Sequence, residues 1–159
     1  MTIRMRYGDI TSETEGVILH QVNCQGVMSS GVALAIKQKC PEVYQTYKRW
    51  CNVLQPKDLL GKIQVVSVNK TLDIVNIFGQ LNYGKDGQRY TSYDALDTAF
   101  AKLANIYDDC GKIYTFNFPY LGCGLGGGDW SIVSAIIERH LSYHNLYLWD
   151  NSGQYNTER

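Results

Sequence analysis

One stretch decides how this sequence of 159 residues is interpreted: Gly122-Cys123-Gly124-Leu125-Gly126-Gly127-Gly128. Five of its seven residues are glycine, an apolar segment ending at Phe118 precedes it, and a helical pattern beginning near Trp130 follows it. Glycine removes the side chain and allows positive φ angles, so successive backbone N–H groups can point inward and bind an anion. No Gly-Lys-Ser/Thr ends the run, so it is not a P-loop. The stretch therefore predicts an anion-binding loop that connects a strand to a helix.

The rest of the chain alternates between strand and helix patterns. Apolar residues recur at helical spacing in residues 93–107, and Thr91-Ser-Tyr-Asp94 resembles a capping box at the start of that helix. Strands are predicted at residues 3–7, 17–22, 63–68, 74–78, 112–118 and 146–149. Helices are predicted at residues 31–39, 42–51, 93–107 and 130–142. This alternation predicts an α/β fold of three layers, in which helices cover both faces of a mixed, largely parallel sheet.

Length and charge restrict the class of protein. A chain of 159 residues suits one domain, which we place at residues 1–150, followed by a polar tail at residues 151–159. Lys plus Arg and Asp plus Glu both number 15, so we expect no membrane binding and no strong affinity for nucleic acid. No apolar run approaches the ~20 residues that span a bilayer. The sequence carries no signal for an oligomeric state.

The cysteines and histidines bear on compartment and cofactors. The cysteines are Cys24, Cys40, Cys51, Cys110 and Cys123. Their number is odd, no pair has CxxC spacing and no secretory signal opens the chain, so we expect a reducing, cytoplasmic location with most of them as small core residues. The three histidines lack metal-ligand spacing, so neither a metal site nor a cofactor is expected.

Two further loops follow predicted strands, and ligands of parallel sheets bind at the carboxyl ends of the strands. In the segment from His20 to residue 33, the residues Ser29, Ser30 and Gly31 lie where a helix begins. Free N–H groups and the positive end of the helix dipole favour an anion there. An ordinary helix cap explains the same residues equally well.

The other loop, residues 79–90, is polar and long for a compact domain, which is typical of functional loops. Tyr83 and Tyr90 are candidates for the walls of a pocket, and Lys85 and Arg89 are candidates for contact with a phosphate or carboxylate. For the charged tip, a solvated turn is the better explanation.

Several segments, taken in order, resemble the macrodomain family. Gly8-Asp-Ile10 resembles its short motif after the first strand, and His20-Gln-Val-Asn23 followed by Ser30-Gly-Val-Ala33 resembles its first phosphate loop. The glycine-rich stretch takes the place of the second phosphate loop, and Leu146–Asp150 matches the final strand. The resemblance covers about residues 3–150.

The resemblance implies a site for ADP-ribose between these loops. Asp9 would accept a hydrogen bond from the adenine amino group, Trp149 would stack on the adenine, and Asn23 would hold the hydroxyls of the distal ribose. The N–H groups for the two phosphates would come from Ser30, Gly31 and Val32 and from Gly124, Leu125, Gly126 and Gly127. The remaining predicted binding residues are Ile10, Ser29, Gly122 and Cys123. A turn explains Asp9, and a core aromatic explains Trp149, without any ligand.

Within the family, the chain is most similar to the branch of the ADP-ribose-1″-phosphate phosphatase and the terminal ADP-ribose glutamate hydrolase. His20-Gln-Val-Asn-Cys-Gln-Gly26 resembles His-Ser-Cys-Asn-Cys-x-Gly of the phosphatase, and Pro119–Leu125 resembles Pro-x-Ile-Gly-Cys-Gly-Leu of the hydrolase. The catalytic lysine and aspartate of that hydrolase fall at Gly79-Gln80 and Gly126 here, so its lysine-based mechanism is not expected unless Lys85 takes the lysine's place.

The resemblance therefore favours hydrolysis of ADP-ribose-1″-phosphate. By residue type His20 is the first candidate for acid/base catalysis and Asp129 the second. A buried structural histidine and a helix cap are the respective alternatives. Cys24 and Cys123 are minor candidates for a nucleophile. A hydrolase that removes ADP-ribose from protein or nucleic acid, and a binding module without catalysis, remain open, as does the natural substrate.

Overall fold

A computed structural model describes residues 3–109 and 111–152 of the chain. Its strands are β1 (Arg4–Tyr7), β2 (Gly16–Asn23), β3 (Ile63–Ser67), β4 (Leu72–Gln80), β5 (Thr115–Phe118) and β6 (Asn145–Asp150). Its helices are α1 (Gly31–Lys39), α2 (Pro41–Val53), α3 (Pro56–Leu59), α4 (Tyr93–Tyr107) and α5 (Trp130–Leu141), and a 3-10 helix lies at Ile10–Ser12. The strand order in the sheet is β1-β6-β5-β2-β4-β3, and all neighbours are parallel except β3 and β4.

Apolar layers cover both faces of the sheet. Val17 and Leu19 of β2 belong to the core that includes Ile137 of α5. Ile18, between them, packs on the opposite face with Ile36 of α1. A strand covered on both faces has no solvent side, which is why its sequence is a continuous apolar run. The predicted three-layer α/β fold with a mixed, largely parallel sheet is confirmed.

The bounds of most elements agree with the sequence patterns, and α1 and α4 have the predicted ends. The patterns do not predict α3 or the 3-10 helix, because a single turn is too short to show a period. β4 continues past Phe78, since its Gln80 still pairs with Asn23 of β2 beyond a bulge. β5 begins at Thr115 rather than at residue 112.

The described cysteines are free thiols, and each lies in or against one of the apolar clusters. They are Cys24, Cys40, Cys51 and Cys123. Cys110 and residues 153–159 of the expected polar tail lie outside the described residues. None of the helices in the described parts of the chain combines the length and apolarity that a membrane span requires.

Candidate functional site

A cavity of about 930 Å³ lies at the carboxyl ends of four adjacent strands. Its wall is formed by residues from the segments 20–33, 80–85, 119–126 and 149–152, which end or follow β2, β4, β5 and β6. Because the sheet order places these strands as β6-β5-β2-β4, the wall segments follow one another in the same order across the cavity. The cavity thus extends across the carboxyl ends of all four strands.

The loop after β2, residues 24–30, takes its shape from one buried hydroxyl. Tyr47 of α2 is fully buried, and its Oη accepts hydrogen bonds from the N–H groups of Gly26 and Val27 at 3.0 and 3.1 Å. The single proton of this hydroxyl is shared between the carbonyl and side-chain oxygens of Asn23, each 2.8 Å from Oη. Burial raises the pKa of Tyr47, so the hydroxyl stays protonated and remains able to donate.

Asn23 lies on the cavity wall, but its side chain is already bonded inside its own loop. Its Oδ1 also accepts from the N–H of Gln25 at 2.9 Å, and its Nδ2 donates to the carbonyl of Val27 at 2.8 Å. These bonds hold the turn that leads to α1. A contact of Asn23 with ribose hydroxyls stays a prediction. It requires Oδ1 or Nδ2 of Asn23 to bond the ligand as well as its partners in the loop.

The start of α1 presents donors to the cavity. Ser30 is the N-cap residue without a side-chain cap bond, and Gly31 has φ of +60°, a conformation that favours glycine. The first helical bond runs from the N–H of Leu34 to the carbonyl of Ser30, so the N–H groups of residues 31–33 have no acceptor within residues 3–109 and 111–152. Ser29 is exposed on the wall beside them.

The glycine loop, residues 122–128, is closed by its own backbone. The N–H of Gly128 donates to the carbonyl of Gly122 at 2.8 Å, and the N–H of Gly127 donates to the carbonyl of Gly124 at 3.0 Å. The N–H groups of residues 124–126 have no acceptor in the described parts of the chain, and all three residues lie on the wall. A second set of free donors therefore lines the cavity. The N–H of Gly127 is bonded within the loop, and Gly127 is not a wall residue.

Close packing under the glycine loop explains its composition at Gly126. A Cβ on this residue would lie 2.6 Å from Oγ1 of Thr91 and 2.8 Å from the carbonyl oxygen of Gly122. The carbonyl of Gly126 accepts from the N–H groups of Tyr90 and Thr91 at 2.8 and 3.0 Å. The glycine loop and the end of the loop after β4 are therefore joined at this residue.

That loop, residues 81–90, presents one of its two predicted tyrosines and one of its two predicted cations to the cavity. Tyr83 and Lys85 are wall residues, and Tyr83 is 50% exposed. Arg89 instead lies over the ring of Tyr93, with its guanidinium carbon 4.4 Å from the ring centroid. Tyr90 donates to the carboxylate of Asp86 at 2.8 Å, and the tip, residues 86–89, is exposed as expected for a solvated turn.

The β6 end of the cavity has Trp149 and Asp150 on its wall. The indole Nε1 of Trp149 donates to Oδ1 of Asn117 at 2.7 Å, and its ring packs against the apolar cluster under α1. Asp150 accepts from the hydroxyl of Tyr120 at 2.9 Å. Trp149 is therefore anchored by Asn117 and still reaches the cavity wall. The guanidinium carbon of Arg6, which is paired with Glu13 outside the wall, lies 5.7 Å from the Trp149 ring centroid.

Asp9 and Ile10 are not on the wall. The carboxylate of Asp9 is exposed and caps the 3-10 helix by accepting from the N–H and hydroxyl of Thr11 at 2.9 and 2.8 Å. Ile10 is buried in an apolar cluster. The two predicted phosphate loops and Trp149 share the cavity wall. The Asp9 motif adjoins this wall, because the N–H of Gly8 donates to the carbonyl of Asp150 at 3.0 Å and Ile10 shares an apolar cluster with Trp149. A contact of Asp9 with adenine stays a prediction.

His20 ends a chain of buried polar side chains that begins at α2. Nε2 of Gln64 donates to the carbonyl of Thr46 at 3.0 Å, and Nδ2 of Asn76 donates to Oε1 of Gln64 at 3.1 Å. Oδ1 of Asn76 is then an acceptor, so Nε2 of His20, at 2.6 Å, carries the proton. Nδ1 of His20 keeps its lone pair and has no partner within residues 3–109 and 111–152.

Burial also determines the charge of His20. The residue lies on the cavity wall but is only 1% exposed, and desolvation lowers its pKa from 6.5 to about 4, against a smaller opposing effect of the bond to Asn76. The ring is therefore uncharged at neutral pH. It has a free lone pair but no proton to donate to a ligand, since its N–H is used by Asn76.

Asp129 is the N-cap residue of α5 and lies outside the wall. Its Oδ1 accepts from the N–H and hydroxyl of Ser131 at 2.9 and 2.7 Å, and these bonds lower the pKa of its carboxyl. All of the side-chain bonds of Asp129 are those of a helix cap.

The two candidate thiols are protonated at neutral pH. Burial raises the pKa of Cys24 to about 12 and that of Cys123 to about 11, and Cys123 donates to the carbonyl of Leu121 at 3.3 Å. Nucleophilic cysteines need the opposite shift. In the described ranges no three His, Cys, Asp or Glu side chains are grouped so that they could hold a metal ion.

Sequence reasoning missed the residues that join the loops beneath the cavity. The Gln21 amide donates to Oε1 of Gln80 at 2.7 Å and to Oγ1 of Thr91 at 2.9 Å, and Thr91 donates to the carbonyl of Gly122 at 2.7 Å. For Gln21 the only signal in the sequence was that a polar residue interrupts the apolar run of β2. For Tyr47, on a helix with aromatic residues at helical spacing, the sequence has no signal at all.

Comparison with known proteins identifies the family. The Macro domain family matches residues 19–137, which is most of the chain. The chain belongs to the Macro domain family. Among solved structures, this macrodomain is similar to a protein of unknown function from Bacteroides thetaiotaomicron, with a TM-score of 0.82 and 28% identity, covering 94% of this chain and 98% of the other.

Two curated relatives carry functional names. A DNA ADP-ribosyl glycohydrolase of Mycobacterium tuberculosis is 28% identical over 126 residues, which cover 79% of this chain and 35% of the relative. An ADP-ribose 1″-phosphate phosphatase of Scheffersomyces stipitis is 24% identical over 153 residues, which cover 83% of this chain and 87% of the relative. The macrodomain thus spans about a third of the first relative and most of the second.

Proposed function

We propose that this macrodomain binds ADP-ribose compounds in the cavity and hydrolyses ADP-ribose-1″-phosphate to ADP-ribose and phosphate. The observation that carries the proposal is the presence of two sets of unbonded N–H groups, at residues 31–33 and 124–126, in loops that follow β2 and β5. β2 and β5 are hydrogen-bonded neighbours in the sheet, so the two sets belong to the same part of the cavity. A diphosphate carries negative charge and has enough oxygen acceptors to bond both sets of N–H groups.

The names of the relatives support the choice of ligand. The enzymes from Mycobacterium tuberculosis and Scheffersomyces stipitis are named for substrates that share the ADP-ribose unit and differ in what is attached to it. The relative that this chain spans over most of its length is the phosphatase. Trp149, at one end of the cavity, supplies an aromatic surface for the adenine.

The reaction needs few protein groups. Water attacks the phosphorus, the bond from phosphorus to O1″ of the ribose breaks, and a proton from the water passes to O1″. Such transition states are largely dissociative, so positioning and electrostatic stabilisation provide most of the catalysis. Backbone N–H groups that are fixed before the ligand binds supply such stabilisation without reorganisation.

His20 is the candidate base in this proposal, and Asp129 is assigned to the cap of α5. Nδ1 of His20 has the free lone pair and can take a proton from the attacking water, and the lowered pKa of the ring favours passing that proton on to O1″ as the bond to phosphorus breaks. The proton that O1″ gains therefore comes from water in this scheme.

Removal of ADP-ribose from a macromolecule is the second candidate, because the relatives from Mycobacterium are glycohydrolases of ADP-ribosylated DNA. Lys85 on the wall would have to replace the lysine that is missing at Gly79-Gln80. A binding module without catalysis is the third candidate, since the buried His20 and the two protonated thiols leave the cavity short of reactive groups.

One set of assays separates the three candidates. Calorimetry with ADP-ribose is expected to give a Kd in the micromolar range, which corresponds to a binding free energy of about −8 kcal/mol. Released phosphate is then measured with ADP-ribose-1″-phosphate, and released ADP-ribose with ADP-ribosylated DNA and protein. Phosphate release supports the first candidate, ADP-ribose release the second, and tight binding without turnover the third. No heat and no thermal shift with ADP-ribose would refute the site itself.

A further inference from the structure

We propose that Lys85 is the residue that recognises a phosphate group at the distal end of the ligand, and that it makes the macrodomain prefer ADP-ribose-1″-phosphate over ADP-ribose. The proposal rests on the proposed function, because it assumes that the diphosphate lies between the β2 loop and the glycine loop. To the backbone N–H groups of the two loops it adds one side-chain cation and, through that cation, a preference for one substrate. Membership of the family implies neither.

The strand order determines which residues meet the two ends of a ligand. β5 and β2, which carry the two sets of N–H groups, lie in the middle of the four strands that border the cavity. β6 lies on one side of them with Trp149, and β4 lies on the other side with Gln80, Tyr83 and Lys85. A ligand whose diphosphate is in the middle and whose adenine stacks on Trp149 therefore directs its distal ribose toward Lys85.

Charge is distributed unequally along this direction. Among the described wall residues, Lys85 is the only lysine or arginine and Asp150 is the only carboxylate. They lie at opposite ends, since Lys85 follows β4 and Asp150 ends β6. Lys85 attracts the more negatively charged end of the ligand to the β4 end of the cavity, and Asp150 repels that same group from the β6 end. A terminal phosphate is thus directed to the β4 end.

The ammonium group of Lys85 is available for this role. Lys85 is exposed and has no hydrogen bond or ion pair with any residue in the described parts of the chain. Arg89, in the same loop, is already occupied by the ring of Tyr93 and is not a wall residue. The nearest acidic residue of the loop, Asp86, accepts from Tyr90 and from the N–H of Gln88.

The position of the loop is fixed relative to the glycine loop. The carbonyl of Gly126 holds the N–H groups of Tyr90 and Thr91, and the N–H of Cys24 donates to the carbonyl of Leu81 at 3.2 Å. Gly84 packs against the ring of Tyr90, where a Cβ would lie 2.3 Å from the hydroxyl oxygen. Lys85 follows directly after this contact, so its backbone is held close to the cavity.

A single phosphate fits these observations better than a nucleic acid strand. Affinity for a strand comes from several phosphates neutralised together, whereas the cavity offers one unpaired cation and the whole chain has no net charge. Recognition of attached DNA is therefore the competing outcome of the test below.

The test compares Lys85→Gln with two matched variants, Arg89→Gln in the same loop and Lys57→Gln on α3, neither of which changes a wall residue. For Lys85→Gln we expect KM for ADP-ribose-1″-phosphate, or Kd if there is no turnover, to rise about tenfold, the low end for a charge-assisted hydrogen bond at an exposed site. The Kd for ADP-ribose should change less than about twofold, and both controls should behave as wild type. Raising the salt concentration should weaken the wild type more than Lys85→Gln.

The outcomes are distinguishable from failure of the proposed function. If the wild type does not bind ADP-ribose, the proposed function fails. If it binds ADP-ribose but Lys85→Gln leaves the preference for the 1″-phosphate unchanged, or weakens both ligands equally, the role of Lys85 is refuted. If Lys85→Gln weakens only an ADP-ribosylated DNA oligonucleotide, the residue serves nucleic acid instead and the proposal is overturned.

Discussion

Replacing Tyr47 by phenylalanine tests whether one buried hydroxyl holds the first phosphate loop. The change keeps the ring, which stacks on Phe78 with centroids 5.6 Å apart, so the packing of the core is preserved. It removes the acceptor of the N–H groups of Gly26 and Val27 and a donor to Asn23. We expect both a loss of stability and a loss of affinity for ADP-ribose.

The magnitude follows from the two donors that lose their acceptor. An unsatisfied buried group costs about 1–3 kcal/mol, and the N–H of Val27 keeps a long bond of 3.5 Å to Oδ1 of Asn23, so we expect the free energy of unfolding to fall by about 2–3 kcal/mol. For a chain of this size that corresponds to a decrease in Tm of roughly 4–12 °C. The loop that leads to the free N–H groups of residues 31–33 also loses its shape, so the Kd for ADP-ribose should rise about tenfold or more.

Urea denaturation and calorimetry with ADP-ribose measure the two effects. Tyr44→Phe is the matched control, because Tyr44 lies on the same helix with its ring centroid 6.2 Å from that of Tyr47, and its hydroxyl has no hydrogen bond in the described parts of the chain. The control should change neither quantity. Equal stability and equal affinity for Tyr47→Phe and wild type would show that the hydroxyl does not hold the loop.

Three other substitutions test the remaining residues of the site. Gly126→Val should abolish binding of ADP-ribose while circular dichroism still shows a folded chain, because the valine side chain would meet Oγ1 of Thr91. The control Gly124→Ala, with open space around its Cβ, should bind ADP-ribose within a few-fold of wild type, and unchanged binding by Gly126→Val would place the ligand elsewhere. The pKa of His20 is lowered from 6.5 to about 4, so on acidification the ring is protonated in the unfolded chain before it is protonated in the folded one, and the free energy of unfolding should fall by up to about 3 kcal/mol between pH 6.5 and pH 4. In urea titrations at several pH values His20→Gln should show a weaker dependence of stability on pH, and an equally steep dependence would contradict the assignment. Asp129→Asn keeps an N-cap and should retain full turnover, and Asp129→Ala should lose about 1 kcal/mol of stability with the same turnover; a large loss of turnover in Asp129→Asn would make Asp129 catalytic.

Local sequence signals were sufficient for most elements of the fold. α1 begins at Gly31 and ends before Pro41. The N-cap of α4 lies one residue later than in the predicted capping box, because Ser92 caps the helix and the hydroxyl of Thr91 donates to the carbonyl of Gly122 instead. These signals act within a few residues of the helix ends, so they can be recognised without the tertiary structure. The single turns at Ile10–Ser12 and at α3 have no such period and were missed.

Prediction of the candidate site succeeded for its loops and not for its supports. The rule that ligands bind beyond the carboxyl ends of parallel strands selects the loops after β2, β4 and β5 from the order of elements alone. Tyr47, Gln21 and Thr91 act through partners that are 20 or more residues away in sequence, and no local pattern reports such contacts. The role of the Asp9 carboxylate also could not be decided from sequence, because either a ligand amino group or Thr11 can donate a hydrogen bond to it.

The sequence by itself determined the alternation of strands and helices, the continuous apolar strands and the glycine run, because backbone freedom and burial leave marks within a few residues. Only the tertiary structure decided which polar side chains meet in the cavity. Lys85 and Arg89 are four residues apart in one loop, yet only Lys85 is on the wall. The path of that loop depends on hydrogen bonds to the carbonyl of Gly126, which the chain supplies more than thirty residues later.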